Sequence, residues 1–93
     1  MTVVIKRNRR REQFDAEKLR LSIDKAAAEA GLSPAKRRSL AVKVAKAVNA
    51  IANKQAQVRS AMLREWVLYR LDKGAPVVSR AWRDHDRETK GLA

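Results

Sequence analysis

Cysteine is absent from this sequence, and no run of apolar residues approaches the length of a membrane span. The lack of cysteine excludes disulfide bonds and zinc sites built on thiolates. The lack of a long apolar run argues against a transmembrane helix and against the apolar segment of a signal peptide. We therefore expect a soluble protein of the cytoplasm that does not associate with membranes.

Glycine and proline are scarce, with three and two residues, and each lies where a helix is predicted to begin or end. No glycine-rich phosphate loop, dinucleotide-binding turn or catalytic triad set is present. The single histidine, His85, has no cysteine or second histidine with which to build a metal site. These absences predict a protein that is not an enzyme and that has no metal site of its own.

Acidic residues are few relative to basic ones. Ten Asp and Glu stand against 22 Lys and Arg, which gives a formal net charge of +12. Solubility of a small domain needs a net charge of only roughly 2 to 8 in magnitude. The surplus therefore predicts a polyanionic partner, either a nucleotide or a nucleic acid.

The N-terminus has the pattern of a β-hairpin. The β-branched residues from Val3 to Ile5 predict a strand, and a polar tip leads to a short return strand that ends near Phe14. Asn8 can supply a positive φ at the turn, whereas Arg9 stands where glycine would be expected.

Two helices with clear start and stop signals follow the hairpin. Asp15 is predicted to cap the first helix, and Gly31 to end it. Ser33 and Pro34 are a cap followed by a first-turn proline, so they predict the start of the second helix, which fades near Asn53.

Two more helices complete the chain. A connector at residues 55–58 has the composition of a short strand, and Ser60 is predicted to cap the third helix, which ends at Gly74. Pro76 opens a fourth helix that Gly91 closes. The apolar residues predicted to face the core recur at helical spacing: Leu19, Ile23, Ala26, Ala27 and Ala30; Leu40, Val44, Ala47, Val48 and Ile51; Leu63, Trp66, Val67 and Leu71; and Val78, Ala81, Trp82 and His85.

The predicted fold is mainly α. A length of 93 residues favours a single domain over 1–93. Residues 1–14 form a cap that is a β-hairpin or a small three-stranded sheet, and residues 15–91 form a four-helix bundle.

Residues 4–19 resemble the opening of the ATP-cone domain. In that family a strand ending in Lys-Arg, here Lys6-Arg7, leads into a hairpin and then into Phe-Asp, here Phe14-Asp15, before a helix. The similarity continues along the chain. Residues 58–60 resemble the third short strand and helix start of the family, and residues 76–82 its last helix, with Trp82 where tyrosine is common.

The resemblance implies a function as well as a fold. ATP cones are regulatory modules that bind ATP or dATP, and they occur at the start of the large subunit of ribonucleotide reductases and in a repressor of reductase genes. By this resemblance we expect a bundle capped by a three-stranded sheet, and ATP or dATP as an allosteric effector, with or without Mg²⁺. The expected partner is a ribonucleotide reductase or another regulated protein, and self-association stays open. Neither the reductase's catalytic barrel nor the repressor's zinc ribbon is present, so we expect a free-standing cone.

The candidate site must match a polyanion. A nucleoside triphosphate carries roughly four negative charges and needs clustered cations and N–H donors. Lys6 and Arg7 are adjacent on a strand and point to opposite faces. Lys18 lies in the first turn of the first helix, where the helix dipole also favours phosphate. The resemblance implies the following nucleotide-binding residues: Val4, Lys6, Arg7, Glu12 and Lys18, with Asp15 a candidate for a polar contact to the sugar or base.

Two positions depart from the family pattern. The usual Asp-Gly at the hairpin tip is Asn8-Arg9 here, and the position before Ser60, often threonine, is Arg59. Both departures add bulk and charge near the expected nucleotide.

The surplus charge leaves an alternative open. No acidic residue occurs between Glu29 and Glu65, and the hairpin tip is a run of arginines. Such a surface is typical of an architectural protein that binds DNA or RNA through phosphates. The candidate residues of this nucleic-acid alternative are Arg9, Arg10, Arg11, Lys36, Arg37, Lys43, Lys46 and Lys54.

Overall fold

A computed structural model of the chain describes residues 2–6 and 8–90, with side chains described as far as residue 84. The elements, in chain order, are β1 (Val3–Ile5), β2 (Arg11–Gln13), α1 (Ala16–Glu29), α2 (Pro34–Ala52), β3 (Gln57–Arg59), α3 (Ser60–Gly74) and α4 (Pro76–Lys90). The predicted mainly α architecture is confirmed, and the cap is the three-stranded sheet rather than the hairpin alone. The predicted stop at Gly91 and the side chain of His85 lie outside the described part. No helix within that part combines the length and the apolar character needed to cross a membrane.

The sheet has the strand order β2-β1-β3, so β1 is its central strand. Val4 pairs with Glu12 across the antiparallel β1–β2 ladder and with Val58 across the parallel β1–β3 ladder. Val4 and Val58 are buried, and residues in one row of a sheet share a face. This row therefore faces the bundle. The next row, through Ile5, faces the other way.

The hairpin tip has a left-handed residue. Lys6 N–H donates to the Arg10 carbonyl at 2.8 Å, and Arg9 N–H donates to the Lys6 carbonyl at 2.9 Å. Arg9 has a φ of +68°, a conformation that favours glycine. The side chain of Asn8 supports the turn, because its Oδ1 accepts from Arg10 N–H at 3.1 Å. Arg9 thus occupies the position for which the turn chemistry calls for glycine.

The sheet is fixed to the far end of α2 by a buried threonine. The Thr2 hydroxyl lies 2.9 Å from the Ala52 carbonyl and 3.0 Å from the Gln55 carbonyl, both of which are acceptors. Val3 N–H also donates to the Ala56 carbonyl at 3.0 Å. These bonds place the C-terminal end of α2 beside the start of β1.

Three of the predicted helix boundaries are confirmed at the level of hydrogen bonds and backbone angles. Asp15 Oδ1 accepts from the N–H groups of Glu17 and Lys18, and Ser33 caps α2 with Pro34 in its first turn. Gly31, just after α1, has a φ of +88°. The predicted cap of α3 is wrong: Ser60 is already helical, and Arg59 stands at the N-cap with no side-chain hydrogen bond. The reason is that β3 continues through Arg59, which leaves the capping position to an arginine.

The core lies between the four helices and follows the predicted stripes. Ile23, Val48, Leu71 and Val78 are completely buried. The remaining predicted core residues with described side chains are buried or half-buried. The stripes missed four buried apolar residues: Ala41, Ala45, Ala52 and Leu68. Buried alanines on α1 and α2 keep side chains short between these helices, which suits close helix packing.

Candidate functional site

A cavity of about 330 Å³ lies beneath the hairpin, between the sheet and the helices. The inward row of the sheet forms its roof. The first two turns of α1 and α3 form its walls and, together with one residue of α4, its floor. The residues that line it are Val4, Lys6, Glu12, Gln13, Phe14, Asp15, Lys18, Leu19, Ser22, Ser60, Leu63, Arg64, Val67 and Trp82.

The cavity brings together five of the six residues that the resemblance implied for a nucleotide site. These are Val4, Lys6, Glu12, Asp15 and Lys18. They come from β1, from β2 and from the start of α1, so the folding of the hairpin over the first helix is what assembles them. The sixth, Arg7, lies outside the described residues.

The sheet contributes an ion pair to the cavity mouth. Lys6 Nζ lies 3.1 Å from Glu12 Oε2, and the two side chains are 44% and 48% exposed. A pair this exposed contributes little to stability, on the order of 0 to 1 kcal/mol. A stronger anion can therefore replace Glu12 at Lys6 with little loss.

The start of α1 contributes a capping carboxylate and a cation. Asp15 Oδ1 accepts from Glu17 N–H at 2.9 Å and from Lys18 N–H at 3.3 Å. These two backbone donors are thus already used, and an anion in the cavity would meet the side chain of Lys18 rather than these N–H groups. Glu17 is held outside the cavity by Arg20, whose hydrogen bond keeps the pKa of Glu17 below its ordinary value.

The charges that line the cavity give it a small positive excess. Three cations, Lys6, Lys18 and Arg64, stand against two carboxylates, Glu12 and Asp15, which leaves +1. Cations and carboxylates both lie at the polar end. The arrangement therefore suits a ligand that has phosphates and also hydroxyl groups or a cation for the carboxylates.

The floor of the cavity is mainly apolar. Leu19, Leu63, Val67 and Trp82 line it, and Trp82 is only 7% exposed. Trp82 Nε1–H donates to Ser22 Oγ at 3.0 Å, which joins α4 to α1. An apolar surface with few polar groups is what a flat heterocycle requires.

Sequence reasoning missed several lining residues. Trp82 was assigned to the core only, although it is both a core residue and part of the floor. Ser22 follows Lys18 by four positions and so shares its helix face, a signal that could have found it. Arg64 lies within the acid-free stretch between Glu29 and Glu65, and it stands four positions after Ser60 on the wall formed by α3.

The residues of the nucleic-acid alternative do not form one patch. Arg9, Arg10, Arg11, Lys36, Lys43, Lys46 and Lys54 are all exposed, whereas Arg37 is half-buried and pairs with Asp24 at 3.6 Å. Lys36 precedes Ala52 by 16 positions, which is about 24 Å along a helix. Since Ala52 adjoins the sheet, the cations at the start of α2 lie far from the hairpin arginines.

Within the described residues, no group of three or more His, Asp or Glu is placed to hold a metal ion.

Two comparisons bear on the identity of the chain. A family model described as the ATP cone domain matches residues 2–88, nearly the whole chain. A search of the curated proteins gave no match. The ATP cone is a nucleotide-binding regulatory domain, not a catalytic one, and by this match the chain belongs to the ATP cone domain family.

Proposed function

We propose that this chain binds ATP or dATP in the cavity beneath the hairpin and acts as an allosteric regulatory module without catalytic activity of its own. One observation carries the proposal. Lys6, which directly follows β1, and Lys18 from the first turn of α1 line the same cavity, and the floor of that cavity is mainly apolar. Cations at the mouth and an apolar floor match the two ends of a nucleotide.

The phosphates would lie at the polar end. Lys6 and Lys18 supply two ammonium groups from two different parts of the fold, and Arg7, which follows Lys6 directly, is a further candidate that the family resemblance implies. Binding of the triphosphate would displace Glu12 from Lys6. Because Glu12 remains beside the ligand, its carboxylate can then accept from a sugar hydroxyl.

Asp15 has a second role available besides capping. Its Oδ1 accepts both capping bonds, and its Oδ2 accepts no hydrogen bond from the residues that the structure describes. That oxygen can receive a sugar hydroxyl. Glu12 and Asp15 are also the kind of carboxylate ligands that Mg²⁺ takes together with substrate phosphates, so a nucleotide that arrives with Mg²⁺ fits the same mouth.

The regulated partner follows from the family rather than from the cavity. A ribonucleotide reductase, or another protein whose activity tracks nucleotide level, is the partner we propose. A location in the cytoplasm stays a prediction. The nucleic-acid alternative gains no support from the family match, and its cations are spread over both ends of the bundle.

Titration calorimetry with ATP and dATP tests the proposal. Wild type should show saturable binding. Lys6→Ala and Lys18→Ala should each weaken it by about tenfold or more, since a hydrogen bond to a charged group contributes about 1.5 to 3 kcal/mol. Lys43→Ala and Lys46→Ala are matched controls on the exposed surface of α2 and should leave the affinity unchanged. No heat and no competition at millimolar nucleotide would show that the cavity is not a nucleotide site.

A further inference from the structure

The floor of the cavity has a hydrogen-bond donor that none of the described residues uses. Ser22 Oγ accepts a hydrogen bond from Trp82 Nε1–H at 3.0 Å. An indole N–H is a donor only, so in this pair Ser22 has to be the acceptor. The serine hydroxyl has one proton, and it has no acceptor among the residues that the structure describes.

The surroundings direct that proton towards the cavity. Ser22 is half-buried and lines the floor together with Leu19, Leu63 and Val67, none of which has a side-chain acceptor. Trp82 is 7% exposed and packs in the core, so its indole cannot turn away easily. With one lone pair of Ser22 engaged by this indole, the hydroxyl keeps its proton for an acceptor on a ligand that enters the floor.

We propose that Ser22 reads the base of the bound nucleotide by donating to a ring nitrogen of a purine, and that Trp82 is the positioning residue that orients the Ser22 hydroxyl. The inference rests on the proposed function, because it assumes that the apolar floor takes the base and the cationic mouth takes the phosphates. A purine has ring-nitrogen acceptors on its edge, and a mainly apolar floor with the Ser22 donor is complementary to such an edge.

A set of ATP analogues tests this assignment directly. The compounds 1-deaza-ATP, 3-deaza-ATP and 7-deaza-ATP each lack one ring nitrogen of adenine, and tripolyphosphate lacks the base altogether. Ser22→Ala should weaken ATP binding by about threefold to tenfold, the usual net value of one hydrogen bond, and should leave tripolyphosphate binding unchanged. One of the three analogues should bind wild type more weakly than ATP does, by the same factor. The Ser22→Ala substitution should not weaken the binding of that analogue further.

Two more variants separate positioning from a general effect on folding. Trp82→Phe keeps an aromatic ring but lacks the N–H, so Ser22 is free to rotate. Relative to wild type, the Trp82→Phe variant should show a smaller difference in affinity between ATP and the sensitive analogue. Its binding of tripolyphosphate should be unchanged. Ser39→Ala, on the exposed surface of α2, is the matched serine control and should match wild type with every ligand.

The outcomes are distinct. If wild type binds ATP but Ser22→Ala loses nothing, or loses equally with ATP and with all three analogues, then Ser22 does not read the base. In that case the proposed function stands and the inference fails. If wild type binds neither ATP nor tripolyphosphate, the proposed function itself is wrong, and this inference falls with it.

Discussion

Lys6 Nζ lies 3.1 Å from Glu12 Oε2, so the cation that we propose binds phosphate already has an anionic partner on the neighbouring strand. Both residues line the cavity, and both side chains are nearly half exposed. An exposed pair of this kind is weak, but it still has to be given up before Lys6 can bind another anion. Part of the positive charge of the site is thus neutralised by its own carboxylate.

Replacing Glu12 by Gln should therefore strengthen the binding of tripolyphosphate. The amide keeps the size of the side chain and removes the charge that competes for Lys6. Since exposed pairs contribute up to about 1 kcal/mol, the gain should be at most about fivefold. Calorimetry with tripolyphosphate measures this effect apart from any contact of Glu12 with a sugar. Glu17→Gln removes a carboxylate that pairs with Arg20 outside the cavity, so it should have a smaller effect. Equal gains from the two variants would argue against a specific competition at Lys6.

The tip of the hairpin offers a stabilising substitution. Arg9 has a φ of +68°, and a side chain in the left-handed region costs on the order of 1 kcal/mol. Arg9→Gly should raise the free energy of unfolding by about 0.5 to 1 kcal/mol, because the relief of strain outweighs the added freedom of the unfolded chain. Urea denaturation measures it.

Arg11→Gly is the matched control for that substitution. Arg11 is an exposed arginine of β2 in extended conformation, where glycine has no steric advantage and destabilises by roughly 0.5 to 1 kcal/mol. The two arginine-to-glycine changes should therefore shift the denaturation midpoint in opposite directions. A loss of stability in both would mean that Arg9 is not strained.

The hydrogen bonds that join Asp72 of α3 to two residues of α4 predict a contribution to the stability of the fold that is lost in acid. Arg83 donates to both carboxylate oxygens of Asp72, at 3.0 and 2.9 Å, and the buried Ser79 hydroxyl donates to the same carboxylate. The bonds from Arg83, and then that from Ser79, hold the pKa of Asp72 below its ordinary value of 3.8. A carboxyl whose pKa is lower in the folded state stabilises the fold above its unfolded pKa. That contribution is lost as the pH falls through the folded value.

The melting temperature of wild type should accordingly fall as the pH is lowered from 5 to below 3. Asp72→Asn should fall less over the same range, because it has no charge to lose at this position. It should still fall somewhat, since the pKa of Glu17 is also lowered. Arg83→Gln should give a flattening similar to that of Asp72→Asn, because it removes the main cause of the lowered pKa. Melting curves of wild type and Asp72→Asn that run parallel with pH would contradict this account.

The parts of the fold that depend on neighbouring residues could be predicted from the sequence. Asp15 and Ser33 cap their helices because a short polar side chain reaches backbone N–H groups two or three residues ahead. The apolar stripes follow from helical spacing alone. The prediction that Ser60 caps α3 was wrong because β3 pairs with β1 through Arg59, and that pairing joins segments more than fifty residues apart.

Some residues of the candidate site could likewise be predicted from the sequence, and others could not. Lys6 and Lys18 were found because a family resemblance marks them within one short segment. Ser22 and Trp82 are sixty positions apart in the chain, and only the packing of α4 against α1 brings them together. The spacing of Trp82 indicates a core residue, which is correct, but spacing cannot show that the same ring lines a cavity.

The dependence of binding on salt should separate a nucleotide site from a surface for nucleic acid. Part of the binding energy of a nucleotide would come from the apolar floor, which salt does not screen, whereas a duplex would meet only exposed and scattered cations. We expect any duplex binding at 50 mM salt to be independent of sequence, in the non-specific range of about 10⁻⁴ to 10⁻⁶ M, and to fall much more steeply towards 200 mM than ATP binding does.

Charge substitutions should separate the two activities as well, with fluorescence anisotropy of a labelled duplex and calorimetry of ATP as the measurements. A Lys43→Ala, Lys46→Ala double variant should weaken duplex binding and leave ATP binding unchanged, because both lysines are exposed on α2 and lie outside the cavity. Lys18→Ala should weaken ATP far more than the duplex, since it removes a cavity cation and only one of many surface charges. A tight, sequence-dependent duplex complex that persists at 200 mM salt would reverse the assignment, because scattered cations without a base-reading element cannot produce it.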